Sequence, residues 1–329
     1  MLLYYLLFNS CRTHFFLLFT VLFLGTVGVP KAKGQSYCED LSYPVTTTFA
    51  GNAATDDDGL ITISYSGEYT RLDATGNTVW SYKLNPIGFS LLTHITRHSN
   101  GNYIIVTRSG DWYEIDGNGG IVGQHSLTDA PFKLIVIRSV IPTQDGGLAF
   151  VGRSSLSGSA LTSLYVAKIA ADGTPEWSKE VGQFGYYDGV RCVETSDNKI
   201  VAVGTRGNTS NSRRIFVASL LSNGDLDFAN YYQFSDDSDQ GRDLVALPNK
   251  LLILGKNHVF LIDQAGDPVE ARALVGIQAQ DMSRTANGTI FIAGDNTTTS
   301  YPIPTNVDMV LARVDNQGMV TNSSRYGGS

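Results

Sequence analysis

Six times between Asp58 and Gly318 the chain follows an apolar strand with a turn that closes on glycine: LDATG at Gly76, IDGNG at Gly119, IAADG at Gly173, LLSNG at Gly224, IDQAG at Gly266 and VDNQG at Gly318. A period of about 42 to 54 residues marks a supersecondary unit that covers its apolar face only by packing on the next copy. Within the fifth copy the order is DLVAL (243–247), a Pro-Asn-Lys turn, LLILG (251–255), VFLID (259–263), the Gly266 turn and VEARAL (269–274). Strands this short, rich in β-branched and aromatic residues and bounded by Asn, Asp or Gly, predict an up-and-down antiparallel blade. Six such blades over 45–327 predict an all-β fold, a β-propeller whose blades expose only short, protected edges. Seven blades, or part of a longer propeller, are the alternatives.

Ahead of the repeats, Phe15–Val29 is an apolar run, short for a membrane span and suited to the core of a signal peptide. Arg12 precedes it and Ala32-Lys33-Gly34 supplies a small-x-small cleavage site. The expected organisation is therefore a signal peptide at 1–34, an N-terminal tail at 35–44 and the propeller at 45–329. The product would be secreted or extracellular, or held in a periplasm or at the cell surface, with no membrane insertion after cleavage. The net charge is −7, and the leader holds three cations and no acid, so the remainder is more acidic still. Such a surface disfavours nucleic acid as a partner. Beyond the leader only Cys38 and Cys192 remain, and Cys192, in VRCV, reads as a small core residue.

Several phrases carry a resemblance: TQDGGLAFVGRSS (143–155), LYVAKIAADGTPEWSKEVG (164–182), IFVASLLSNGDLDF (215–228) and the closing SRYGGS. They resemble the secreted repeat β-propellers common in Bacteroidetes and related bacteria. In that family a DGG turn, a glycine-ended strand, a K-x-D-x-x-G segment and a Trp-bearing strand recur. The resemblance implies the fold over nearly the whole mature chain and implies no particular ligand. Here the DGG turn is intact only at 145–147, and the Trp is present at Trp80 and Trp177, with Phe228 at the equivalent place.

Alternating strand direction sends the first-to-second and third-to-fourth turns to one end of each blade and all other connections to the opposite end. The second end holds the variable stretches 152–163, 182–189, 204–214, 234–241 and 294–308. Loops on a rigid scaffold are where binding residues gather. Tyr186, Tyr187, Asp188, Tyr231 and Tyr232 flank interblade connections there and are the candidate ligand-binding residues, because exposed rings can stack on sugar or grip peptide. Trp80, Trp177 and Phe228, each four residues past a turn glycine, read as packing between blades.

Asp236, Asp237 and Asp239 could gather around calcium, although their spacing departs from that of a calcium loop. No other cofactor is expected. His94 and His98 have the spacing of a helical zinc pair but fall in a strand, where they would stand roughly 13 Å apart. GNGGIVG (117–123) lacks the third glycine of a dinucleotide fingerprint and reads as a hairpin. Sequons at Asn208, Asn287, Asn296 and Asn322 mark exposed loops. The expectation is a monomeric, non-catalytic recognition or scaffold propeller that binds protein or glycan through its loop-rich end. The alternative is an extracellular enzyme, glycan-active or quinoprotein-like, with acids at the mouth of the central channel.

Overall fold

The computed structural model describes residues 49–84, 91–127, 133–156, 159–207, 213–234, 239–285, 287–297 and 307–326. The leader, Cys38 and Asn208 lie outside these residues. Blade 1 comprises β1 (Phe49–Ala54), β2 (Leu60–Ser64), β3 (Glu68–Leu72) and β4 (Thr78–Lys83); blade 2 comprises β5 (Leu92–Arg97), β6 (Tyr103–Thr107), β7 (Asp111–Ile115) and β8 (Ile121–Ser126). Blade 3 is β9 (Lys133–Pro142), β10 (Leu148–Leu156), β11 (Thr162–Ile169) and β12 (Pro175–Gly185); blade 4 is β13 (Tyr187–Glu194), β14 (Ile200–Arg206), β15 (Arg214–Leu220) and β16 (Leu226–Tyr232). Blade 5 is β17 (Gly241–Leu247), β18 (Lys250–Gly255), β19 (His258–Asp263) and β20 (Pro268–Ala273); blade 6 is β21 (Gln278–Arg284), β22 (Ile290–Thr297), β23 (Val307–Val314) and β24 (Val320–Tyr326). Each blade is one four-stranded antiparallel sheet in sequence order, and no helix occurs among the described residues. The fold is a six-bladed β-propeller.

Two compact units divide the chain, blades 1 and 2 in the first and blades 3 to 6 in the second. Burial follows strand position. The second strands β2 and β6 are buried at every residue, whereas the outermost β4, β20 and β24 are mostly exposed. Strands covered on both sides read as continuous apolar runs, which is why LITIS and YIIVT show no alternation. Each core cluster is built from the facing sides of two neighbouring blades: blades 1 and 2 around Ile61 and Ile105, blades 3 and 4 around Val166 and Phe216, blades 4 and 5 around Val203 and Phe260, and blades 5 and 6 around Leu254 and Ile292.

The repeated glycine is the third-to-fourth strand turn in all six blades, with φ between 74° and 87°. A turn residue in the left-handed region, followed by a bulge, lets a short loop match the twist of its strands. Where Asp stands three residues before it, the carboxylate caps the turn: Asp73 Oδ1 accepts from the amides of Thr75 and Asn77 at 2.9 Å each, and Asp116, Asp263 and Asp315 repeat the pattern. The first-to-second turn also needs a left-handed residue in every blade. Only three blades use glycine there; Asp58, Asn198 and Asn249 serve in the others, at φ of 59°, 61° and 63°. These short polar side chains tolerate that conformation, so the degenerate DGG phrase conceals a constant geometry.

The aromatic residues of the outer strands sit on the turn glycine of the next blade. A methyl added to Gly119 would stand 2.6 Å from the ring of Tyr82, one on Gly224 2.7 Å from Trp177, and one on Gly266 2.7 Å from Phe228. The indoles also donate across the junction, Trp80 Nε1 to the Gly117 carbonyl at 3.2 Å and Trp177 Nε1 to that of Ser222 at 2.9 Å. Packing between blades is thus the role of Trp80, Trp177 and Phe228, as the sequence suggested.

One expectation is corrected at the glycine-ended strands. Gly152, Gly204 and Gly294 do not begin loops: β10 continues to Leu156, β14 to Arg206 and β22 to Thr297. They sit where the first strand of the blade is irregular and presses against the second, so that a Cβ would meet the carbonyls of Val136 at 2.0 Å, Asp188 at 2.3 Å and Gln278 at 2.4 Å respectively. Similarly, Asn296 and Asn322 belong to β22 and β24 rather than to loops.

Two glycine substitutions separate backbone cost from packing cost. Gly76 has φ of 87° with nothing within 4 Å of an added methyl, so Gly76→Ala should cost about 1–2 kcal/mol, the left-handed penalty alone. Gly224→Ala meets the Trp177 ring as well and should cost a further 1–3 kcal/mol or so. Urea unfolding of the two variants checks the order; equal losses would mean that the ring moves aside freely.

Candidate functional site

The four candidate tyrosines divide by the direction the sheet gives them. Tyr187 is 4% exposed and Tyr232 7%, while Tyr186 and Tyr231 are 37% and 43% exposed. Tyr231 and Tyr232 are successive residues of β16 and so face opposite sides of the sheet. Tyr232 packs on Phe260 of blade 5, with ring centroids 5.0 Å apart, and donates its hydroxyl to the Gly266 carbonyl at 2.5 Å. The ring of Tyr187 fills the space left by Gly182 and Gly185 at the end of blade 3 and meets Phe216 edge-on at 5.0 Å. Burial pushes both phenols up to about 12. These two rings belong to the seams on either side of blade 4, which corrects their expected exposure. The exposed rings of the four are those of Tyr186 and Tyr231; the Tyr231 hydroxyl meets that of Tyr187 at 2.7 Å, Phe216 stacks on its ring and the Arg206 guanidinium lies over it at 5.2 Å.

Asp188 is held by Arg138, whose Nη2 and Nε donate at 3.1 and 3.3 Å, so its carboxylate bridges the first strands of blades 3 and 4. Asp239 is buried and accepts the Phe234 amide at 2.6 Å, which closes the chain leaving blade 4. Asp236 and Asp237 lie outside the described residues.

Every first strand carries an irregularity within its first six residues. The residue standing out of register is Ala50, Thr93, Arg138, Val190, Arg242 or Gln280 in blades 1 to 6. A bulge turns the following side chain away from its regular alternation and so re-aims it. In blades 5 and 6 the following residues are Asp243 and Asp281. Asp243 accepts from the amide of Leu244 at 2.8 Å and, across the seam, from that of Met282 at 2.9 Å, while Asp281 accepts from Met282 at 3.1 Å. Arg191 of blade 4, itself next after a bulge, stands 3.9 Å from Asp281. Burial first, then the neighbouring Asp281 carboxylate, holds Asp243 well above the usual carboxylate range. The sequence anticipated acids near the axis only as an enzymatic alternative. The two acids that the first strands bring together sit against each other and share one amide, joining blades 5 and 6.

Sequence reasoning missed the basic residues. Arg206 and Arg214 are directly opposed on β14 and β15, Arg213 precedes β15, and Arg242 is the bulged residue of β17. The cluster is visible in TRGNTSNSRR (205–214) but passed unremarked, because register alone tells which charges face each other. In the first unit, a cleft of about 530 Å³ lies along β1 and β5, lined by Asn52, Thr55, Asp56, Asp58, His94 and Arg97 among others. Arg97 already pairs with Asp56 there.

No family model matches the chain, nor does any curated protein sequence. Among solved structures the similarity is broad, with 841 chains matching, so the architecture by itself selects no function. A protein of unknown function from Bacteroides caccae aligns at a TM-score of 0.52 and 12% identity, over 82% of this chain and 93% of that one. A gluconolactonase from Xanthomonas campestris aligns at 0.50 and 15% identity, over 75% and 83%. BamB from Moraxella catarrhalis aligns at 0.45 and 14% identity, over 77% and 84%. At these identities the likeness shows the fold alone.

The acid pair has a pH signature. A carboxyl whose folded pKa lies above its unfolded value keeps its proton where the unfolded chain has released it, so stability declines as pH rises from about 4 toward the folded pKa. Asp281→Asn removes the like charge and lowers the Asp243 pKa. The stability of this variant relative to wild type should improve between pH 4 and 7, by about 1.4 kcal/mol for each unit that the pKa falls. Urea midpoints across that range test it; a difference that stays flat would mean that Asp243 is already ionised.

Proposed function

We propose that the protein is an exported recognition module that holds a protein or glycan ligand against the loop-bearing ends of blades 3 to 6. The observation that carries this reading is the chemical contrast between the two ends of each blade in this unit. At one end the turns are closed on themselves by left-handed residues and carboxylate caps. At the other, blades 3, 4 and 6 leave long connections between their second and third strands, where blade 5 needs only Lys256 and Asn257. Leu156 and Leu161 flank the blade 3 connection at 57% and 37% exposure, and Tyr186 stands beside them. Exposed apolar side chains grouped on one surface mark contact sites, and tyrosine supplies a large rigid area at small entropic cost.

The apolar leader and the acidic remainder fit export to an extracellular or periplasmic space, where the protein would act as a monomer carrying no cofactor.

Binding of wild-type protein to glycan and peptide arrays should identify a ligand whose retention falls about tenfold in Tyr186→Ala combined with Leu161→Ser. Stability should change by less than about 0.5 kcal/mol, because both residues are exposed. Tyr187→Ala provides the contrast and should cost about 3–5 kcal/mol of stability through the blade 3–4 seam. A ligand that contacts only the Gly224 and Gly266 turns would refute the assignment.

A further inference from the structure

The neck of the blade 4 connection concentrates positive charge in a chain whose net charge is −7. Arg206 and Arg214 are a directly opposed pair and both are exposed. Like charges facing each other across an antiparallel ladder are destabilising. Arg213 adjoins them, and Arg242 of blade 5 lies near enough that Arg213, after burial, helps to lower its pKa; Asp295 acts in the opposite sense. Among the described residues no carboxylate reaches ion-pair distance of these four, and the buried Nε of Arg242 has no hydrogen-bond partner. A buried donor without a partner costs stability, and an opposed pair of exposed guanidinium groups gains from an incoming acceptor that neutralises them.

We propose that Arg206, Arg213, Arg214 and Arg242 form the docking site for an acidic protein segment, which gives its carboxylates to the arginines and rests its apolar side chains on Leu156, Leu161 and Tyr186. This rests on the reading of the loop-bearing end as the binding surface and narrows it to one ligand class. Proximity on the chain connects the two halves of the site, since the Gly207 amide donates to the Tyr186 carbonyl at 2.8 Å. Protein is favoured over glycan by the side chains themselves. A sugar ring is held by an open aromatic face, and the Tyr231 ring is already engaged by Phe216 and Arg206. Exposed leucines beside arginine and tyrosine make the composition of a protein contact.

The test uses the full chain and three probes: a dye-labelled Glu-Leu peptide, its Gln-Leu counterpart, and polygalacturonate. Fluorescence anisotropy should show binding of the Glu-Leu peptide that weakens with salt and falls about tenfold or more in Arg213→Gln/Arg242→Gln. Arg214→Gln should weaken binding while its melting temperature holds or rises, because the opposed charges are relieved; a purely structural arginine would give a lower melting temperature, and that result would overturn the proposal. Equal binding of the Gln-Leu peptide, or preference for polygalacturonate, would also overturn it. If an array ligand is lost in the Tyr186 variant yet kept in every arginine variant, the docking site is wrong while the wider reading of this surface stands.

Discussion

The missing Cβ at one turn of each repeat is the constraint on which the blades depend. That glycine must adopt a left-handed backbone to close the third-to-fourth hairpin, and at Gly119, Gly224 and Gly266 it must also lie flat beneath a ring from the preceding blade. The two demands are independent, and only glycine meets both. Once the ring is seated, the indole of Trp80 or Trp177 reaches a carbonyl of the neighbouring turn, so a local hairpin signal also sets how adjacent blades dock. Where the preceding outer strand has no aromatic, as at Glu270 four residues after Gly266, the next turn is served differently: Arg272 Nε donates to the Gln317 carbonyl at 3.2 Å. The geometry is kept while the chemistry varies.

A second constraint acts at the opposite end of the blades. Each first strand carries a bulge, and in blades 3, 4 and 6 it brings the backbone close to the second strand, where a glycine accepts the approach. Bulges disrupt the ladder locally and turn side chains out of the regular alternation. That irregularity is what places Asp243 against Asp281, Arg138 beside Asp188, and Arg242 near Arg213. These polar groups therefore sit where the first strands are irregular, whereas Lys168 with Asp145 and Glu176, and Lys199 with Asp227, pair at the turn-bearing end.

Sequence made the repeat, the four-strand order and the turn positions legible, because glycine spacing and apolar runs are local signals. It also identified Trp80, Trp177 and Phe228 as seam residues, since their fixed offset from the turn glycine implies a shared environment. The misjudged positions all depend on what faces what. Gly152 and Gly204 looked like strand ends because a glycine after an apolar run usually is one, and the carbonyl pressing on each comes from another strand. Tyr186-Tyr187 and Tyr231-Tyr232 looked like two exposed pairs, yet neighbouring residues of β16 point to opposite sides, so one ring of that pair was bound to enter a seam, while Tyr187 opens β13 and Tyr186 precedes it. Asp243 stands in DLVAL as an ordinary strand residue, and its partner is 38 positions further on, across a blade junction.

Charge then distinguishes the two polar clusters of this unit. Asp243 and Asp281 are like charges brought together, and burial with the neighbouring carboxylate pushes Asp243 toward its neutral form while both accept the Met282 amide, so the pair joins two blades. Arginine has no such escape, because its guanidinium stays protonated throughout the accessible pH range. Arg206 opposite Arg214, with Arg213 and Arg242 alongside, can be neutralised only by an anion; Asp295 offsets Arg242 in part, and among the described residues no carboxylate stands at ion-pair distance of the four. Two clusters of like charge on the same scaffold thus have different consequences: the buried Asp243 can lower its repulsion by taking a proton, whereas the arginines keep their charge, which is what the proposed acidic partner would neutralise.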